Sequence, residues 1–121
     1  MTKVQENNDL DLFLVKKIEI ILLGEYQQMV AKFLIESGVS GYTLIPNVSG
    51  YGHKGFHQGN LLFNEKTAQV MFIAVSDEKT IQKVAHKMRD IFSENAGVMF
   101  ISDVYVHRLN YFQSEHKNEL P

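Results

Sequence analysis

No cysteine and no tryptophan occur in the 121 residues, and proline occurs only twice. Without thiols the chain can form neither a disulfide staple nor a thiolate metal site, which fits a reducing compartment. Neither sign of charge dominates. A net charge of -2 gives no electrostatic reason to expect DNA or RNA as a partner. Long apolar runs are missing too. Runs such as Ile20 to Leu23 fall far short of the roughly 20 residues that cross a bilayer. The start, Met1 to Asp9, has no basic segment followed by an apolar one, so a secretory signal is not expected and the cytoplasm is the expected location.

What is present describes one ordinary folded domain. Apolar residues make up 45% of the chain and charged residues 21%, and the length suits a single core. Residues 1–11 read as a polar, flexible N-terminal arm, 12–110 as the domain, and 111–121 as a flexible C-terminal tail. Val15 to Leu23 reads as a strand, with Ile18, Ile20 and Leu22 on one face. Tyr26, Met29, Val30, Phe33 and Leu34 recur at helical spacing, and Gly38 is the expected left-handed cap. A second strand is expected from about Gly41 to Val48 and a third from about Thr67 to Val75. Ser76 is the expected N-cap of a second helix whose core stripe is Ile81, Val84, Ala85, Met88, Ile91 and Phe92. A last β-rich run spans Val98 to Leu109.

The order strand, helix, strand, strand, helix, strand predicts an α+β, ferredoxin-like βαββαβ fold: a four-stranded antiparallel sheet with two helices on one face. The other sheet face also carries apolar residues and has no third helix to cover it, so self-association is expected.

The link between the second and third strands, centred on residues 49–60, is longer than a hairpin needs and holds four of the eight glycines. Gly50, Gly52 and Gly55 let backbone amides approach an anion, Lys54 adds a cation, and His53 adds a titratable donor. A flexible tip with no ligand is the plain alternative. The Gly50-x-Gly52-x-x-Gly55 spacing matches a dinucleotide fingerprint, but no helix is expected after Gly55, and the fingerprint needs one. His53 and His57 form a candidate metal pair for a divalent ion, or are simply solvated. Arg108 is read as an anion contact or a surface ion pair; His107 beside it points to the opposite face. No nucleophile, base and acid fall at catalytic spacing, so a non-enzymatic protein is expected.

The segment Gly41-Tyr42-Thr43 through Gly50-Tyr51-Gly52-His53-Lys54-Gly55 resembles the start of the T-loop of PII signalling proteins. The ending Gly97-Val98-Met99-Phe100-Ile101 resembles that family's final strand. The resemblance implies a homotrimer with its sheets packed inward. It also implies adenine-nucleotide clefts between subunits, and a loop that signals to a transporter or an enzyme. Among such proteins it is nearest to short PII-like proteins found beside heavy-metal efflux systems, which would make an efflux-system protein the partner. Three departures stand out. The loop is short, Asn95-Ala96-Gly97 replaces a longer glycine-rich phosphate loop with Val98 at its lysine position, and only His107-Arg108 represents a double arginine. Two charge-assisted contacts, each worth about 1.5–3 kcal/mol, are altered. AMP or an inorganic anion therefore fits the resemblance better than ATP. A small-anion or nucleotide sensor, a metal-tolerance protein and a ligand-free adaptor remain the three readings.

Overall fold

The structure is a computed structural model that describes residues 2–3, 10–52, 55–57 and 68–113. Seven strands and two helices occur in these residues. The strands are β1 (Thr2–Lys3), β2 (Phe13–Leu23), β3 (Thr43–Val48), β4 (Gly50–Gly52), β5 (Gly55–His57), β6 (Gln69–Ser76) and β7 (Gly97–Val106). The helices are α1 (Gln27–Ser37) and α2 (Glu78–Phe92). The main sheet runs β3-β6-β2-β7, all antiparallel, which is the ferredoxin-like order the sequence predicts.

Alternation along β2 explains its central place. Ile18, Ile20 and Leu22 are buried and meet Val30, Phe33 and Leu34 of α1 and Ile81, Val84 and Met88 of α2 in one core. Val70, Phe72 and Ala74 of β6 complete it from the neighbouring strand. Gly38 ends α1 at φ 102°, a conformation that costs glycine nothing. Its N–H donates to the carbonyl of Ile35 at 3.1 Å.

Three details differ from the sequence reading. Asp77, not Ser76, caps α2: it sits in extended backbone and its carboxylate accepts from the Thr80 N–H at 2.8 Å. Both residue types cap well, and the strand decides between them. Ser76 is the last residue of β6 and turns inward, fully buried, its Oγ without a hydrogen-bond partner among the described residues. Secondly, Thr2 and Lys3 of the expected arm pair with Leu14 and Phe13 on the same edge of β2 as β6, beyond its end. Such pairing uses backbone groups only, so polar side chains do not prevent it. Thirdly, β7 stops at Val106. Arg108 adopts a left-handed conformation (φ 63°), and Leu109–Tyr111 form a 3-10 turn. The expected tail boundary at 110/111 falls inside this turn.

Candidate functional site

The chain leaves the sheet through a defect in β3. Its register against β6 shifts between Ile45 and Val48, where Pro46 cannot donate a ladder bond and Asn47 takes φ 57°. Proline belongs at an edge or a bulge, and asparagine tolerates the left-handed region. Beyond Val48 the backbone forms a small hairpin of its own, with Gly50 opposite His57, Tyr51 opposite Phe56 and Gly52 opposite Gly55. A strand rather than a helix therefore begins at Gly55, and the match to the dinucleotide fingerprint is coincidental, as the sequence reading holds. Gly50 has room for a Cβ, with nothing within 4 Å, and no left-handed φ. The fold thus does not require glycine at this position. His53 and Lys54 lie outside the described residues, as does the side chain of His57.

The turn before β7 lies at the same end of the sheet. The Tyr26 hydroxyl donates to Asn95 Oδ1 at 2.7 Å, and Asn95 Nδ2 donates to the carbonyl of Ile91 at 3.1 Å. Gly97 is sterically required: a Cβ there would lie 2.3 Å from Phe92 Cε1 and 3.1 Å from the Ile21 carbonyl oxygen.

The opposite end of β3 holds a cleft of about 530 Å³. Ser40 to Thr43 form one wall, Ile73 and Val75 the floor, and Asn110, Tyr111 and Phe112 the other wall. Ser40 Oγ donates to the Tyr111 carbonyl oxygen, tying the walls together. Arg108 stands beside this cleft. Its Nη1 donates to the Tyr111 hydroxyl at 3.1 Å, and its guanidinium lies 5.3 Å from the centre of that ring. Among the described residues the partner of Arg108 is Tyr111. Three aromatic side chains, an arginine and exposed backbone polar groups can take a planar, anionic molecule. The sequence reading missed this cleft. The only available signal was the pair of aromatics, Tyr111 and Phe112, in a stretch read as tail.

The candidate residues are thus not all brought together in one chain. The glycine hairpin leaves β3 beside Gln69, and Arg108 reaches the cleft beside Thr43 and Ile73. Six residues of strand, roughly 20 Å, separate the two ends. A small ligand cannot span them within one copy.

A second concavity, about 370 Å³, opens between Leu14–Lys16, Asp77–Lys79 and Asp103. Its lining includes the ion pair of Lys16 Nζ with Asp103 Oδ1 at 2.5 Å. The hydrogen bond from Lys16 to Asp103 holds the lysine pKa above its ordinary value. No group of three or more potential metal ligands occurs among the described residues. His86 is exposed on α2. No helix among the described residues is long and apolar enough to cross a membrane.

A four-stranded antiparallel sheet with two helices on one face is the ferredoxin-like fold of PII-like proteins. CPII, a nitrogen regulatory PII-like protein from Thiomonas intermedia K12 solved with ADP, AMP and bicarbonate, is 35% identical to this chain. The match covers 87% of this chain and 99% of that one, with a TM-score of 0.81. A PII-like signaling protein from Thermus thermophilus shares the fold at 15% identity and a TM-score of 0.71, over 84% of this chain and 97% of its own. A UPF0166 protein from Methanocaldococcus jannaschii is 27% identical over 79 residues, 65% of this chain and 72% of the relative. Residues 15–111 match the family Nitrogen regulatory protein P-II, and the chain belongs to that family.

Proposed function

We propose that this chain is a cytoplasmic, non-enzymatic PII-like sensor. Three copies assemble with AMP or ADP, together with a small anion such as bicarbonate, in clefts between subunits. The 49–60 loop then acts on a protein target, a membrane transporter or efflux protein being the expected class. The observation that carries this reading is the bound state of CPII, which is 35% identical and aligned over 99% of its length. The geometry supports it. The glycine hairpin and the Arg108 cleft sit at opposite ends of β3, so one ligand touches both only where two copies meet. Tyr42, Tyr111 and Phe112 offer ring surfaces to a base, and Arg108 offers a charge-assisted contact to a phosphate. A ligand moves the hairpin only if it binds its alternative conformations with different affinity.

Calorimetric titration of the purified protein with AMP, ADP, ATP and bicarbonate tests the reading, alongside its mass in solution. Saturable binding of AMP or ADP by a three-chain assembly is expected. Zinc, copper and nickel in the same panel test His53 and His57. Uptake of metal alone would favour the tolerance protein. No heat with any ligand would favour the adaptor.

A further inference from the structure

The two sides of α2 differ in character. Ile81, Val84 and Met88 are buried in the core. The side turned to solvent holds Lys79, Lys83, His86, Lys87 and Arg89, all exposed. Residues three or four apart are neighbours on a helix. Lys79, Lys83 and Lys87 therefore form one column, and His86 stands beside it between Lys83 and Arg89. Four lysine and arginine side chains against Glu78 and Asp90 give α2 a formal charge of +2, with histidine neutral, in a chain whose net charge is -2. The rest of the chain is therefore acidic.

The helix itself gains nothing from this column. Like charges four residues apart repel and destabilise a helix, and a lysine in the first turn meets the positive end of the helix dipole. The nearby carboxylates are not paired with it. Glu78 Oε2 accepts from Gln82 Nε2 at 3.2 Å. Asp90 lies one turn beyond His86 and Lys87, yet no ion pair joins it to either among the described residues. The side chains of Lys79, Lys83 and Lys87 likewise take part in no ion pair or hydrogen bond among those residues.

We propose that the outward face of α2 docks an acidic segment of a protein partner, a short run of consecutive aspartates or glutamates lying along Lys79, Lys83 and Lys87. From Lys79 to Lys87 the helix rises about 12 Å, which an extended segment covers in about four residues. A single chain carries the whole surface, and none of its residues lines the Arg108 cleft, so the inference does not depend on the three-copy reading. A narrow segment is the occupant that the charges favour. The apolar side of α2 is committed to the core, and none of the exposed large apolar side chains among the described residues lies on this helix. It therefore offers a bilayer no face to insert. A bilayer or a nucleic-acid duplex is also broad, and would press its charge against the acidic remainder of the chain. A segment of a few residues meets the lysine column alone.

The test is an amide NMR titration of the full-length, isotope-labelled protein in about 0.15 M salt, where exposed charges are screened beyond roughly 8 Å. The probe is a peptide with four consecutive glutamates. One control peptide has glutamines in their place, and another has the glutamates separated by glycines. Saturable shifts centred on α2 are expected with the probe, weaker binding with the interrupted peptide, and no shift with the glutamine peptide. K79Q/K83Q/K87Q should weaken binding by about tenfold or more, since each exposed pair is worth up to roughly fivefold. K32Q, which removes an exposed lysine from α1, should leave binding within about twofold of wild type. Circular dichroism should show the triple variant folded and no less heat-stable, because it loses like-charge repulsion. Should it fail to fold, K83Q alone is read, with binding about threefold weaker expected. No saturable shift, shifts centred elsewhere, or a triple variant that binds like wild type overturns the proposal. So does an interrupted peptide that binds as tightly as the probe, or a K32Q loss as large as that of the triple variant. Phosphatidylglycerol vesicles or a DNA duplex that bind through these lysines while the peptide does not would overturn the acidic segment as the occupant.

Discussion

Arg108 and Tyr111 are locked together across one 3-10 turn: the guanidinium donates to the tyrosine hydroxyl at 3.1 Å and lies 5.3 Å from the centre of its ring. The same turn is fixed from the far wall of the cleft by Ser40. The arginine is thus held beside the cleft by its contacts to Tyr111, and its planar fork suits a phosphate better than a lysine ammonium does. Arg108→Ala is expected to weaken ADP binding by about 10- to 100-fold, the worth of one charge-assisted contact. Arg108→Lys should recover only part of the loss, and neither change should alter the solution mass. Calorimetric titration checks all three.

The two glycines at the hairpin end behave oppositely. Gly97→Ala forces a Cβ against Phe92 and the Ile21 carbonyl, an overpacking expected to cost about 1–3 kcal/mol. Gly50→Ala meets open space and should stay within about 0.5 kcal/mol of wild type. Urea unfolding of the two variants should separate them clearly.

Capping of α2 distinguishes neighbouring residues. Asp77→Ala removes the acceptor for the Thr80 N–H and should destabilise by about 0.5–2 kcal/mol. Ser76→Ala removes a buried hydroxyl that has no partner among the described residues, and should leave stability unchanged or raise it. Were Ser76 the cap, the order would be reversed in the same denaturation curves.

The pair Lys16–Asp103 gives a pH dependence whose sign follows from its direction. Lys16 has its folded pKa raised above 10.5, first by the hydrogen bond to Asp103. A raised lysine pKa stabilises the fold below the unfolded value, and the contribution disappears as pH rises through the folded one. Solvent screening keeps the effect small. Asp103→Asn should melt slightly below wild type near pH 8, and the gap should close in strongly alkaline buffer. A gap that widens with alkali would contradict the pairing.

Local periodicity made most of the fold readable. The alternation of Ile18, Ile20 and Leu22, the stripe Ile81–Val84–Met88 and the stop at Gly38 each arise from spacing along a single element, and all three recur in the structure. The cleft was not readable. Its walls join Ser40–Thr43 to Asn110–Phe112, about seventy positions apart, as the Ser40–Tyr111 contact shows. Nothing local to Tyr111 or Phe112 announces that partner. The hairpin was half readable. Glycine density marked the excursion, but not the pairing of Gly52 with Gly55 that makes it a ladder. The N-cap of α2 fell between two adjacent residues of equal local merit, and the inward turn of Ser76 decided it.

The six residues of β3 between hairpin and cleft carry a genetic consequence. In the proposed ring of copies, each binding place would take its hairpin from one chain and its Arg108 wall from the next. A cell making one allele damaged in the hairpin and another damaged in the cleft would build mixed rings. Some junctions in those rings would join an intact hairpin to an intact wall. Two alleles, each silent alone, should therefore rescue one another, whereas two alleles damaged in the same end should not.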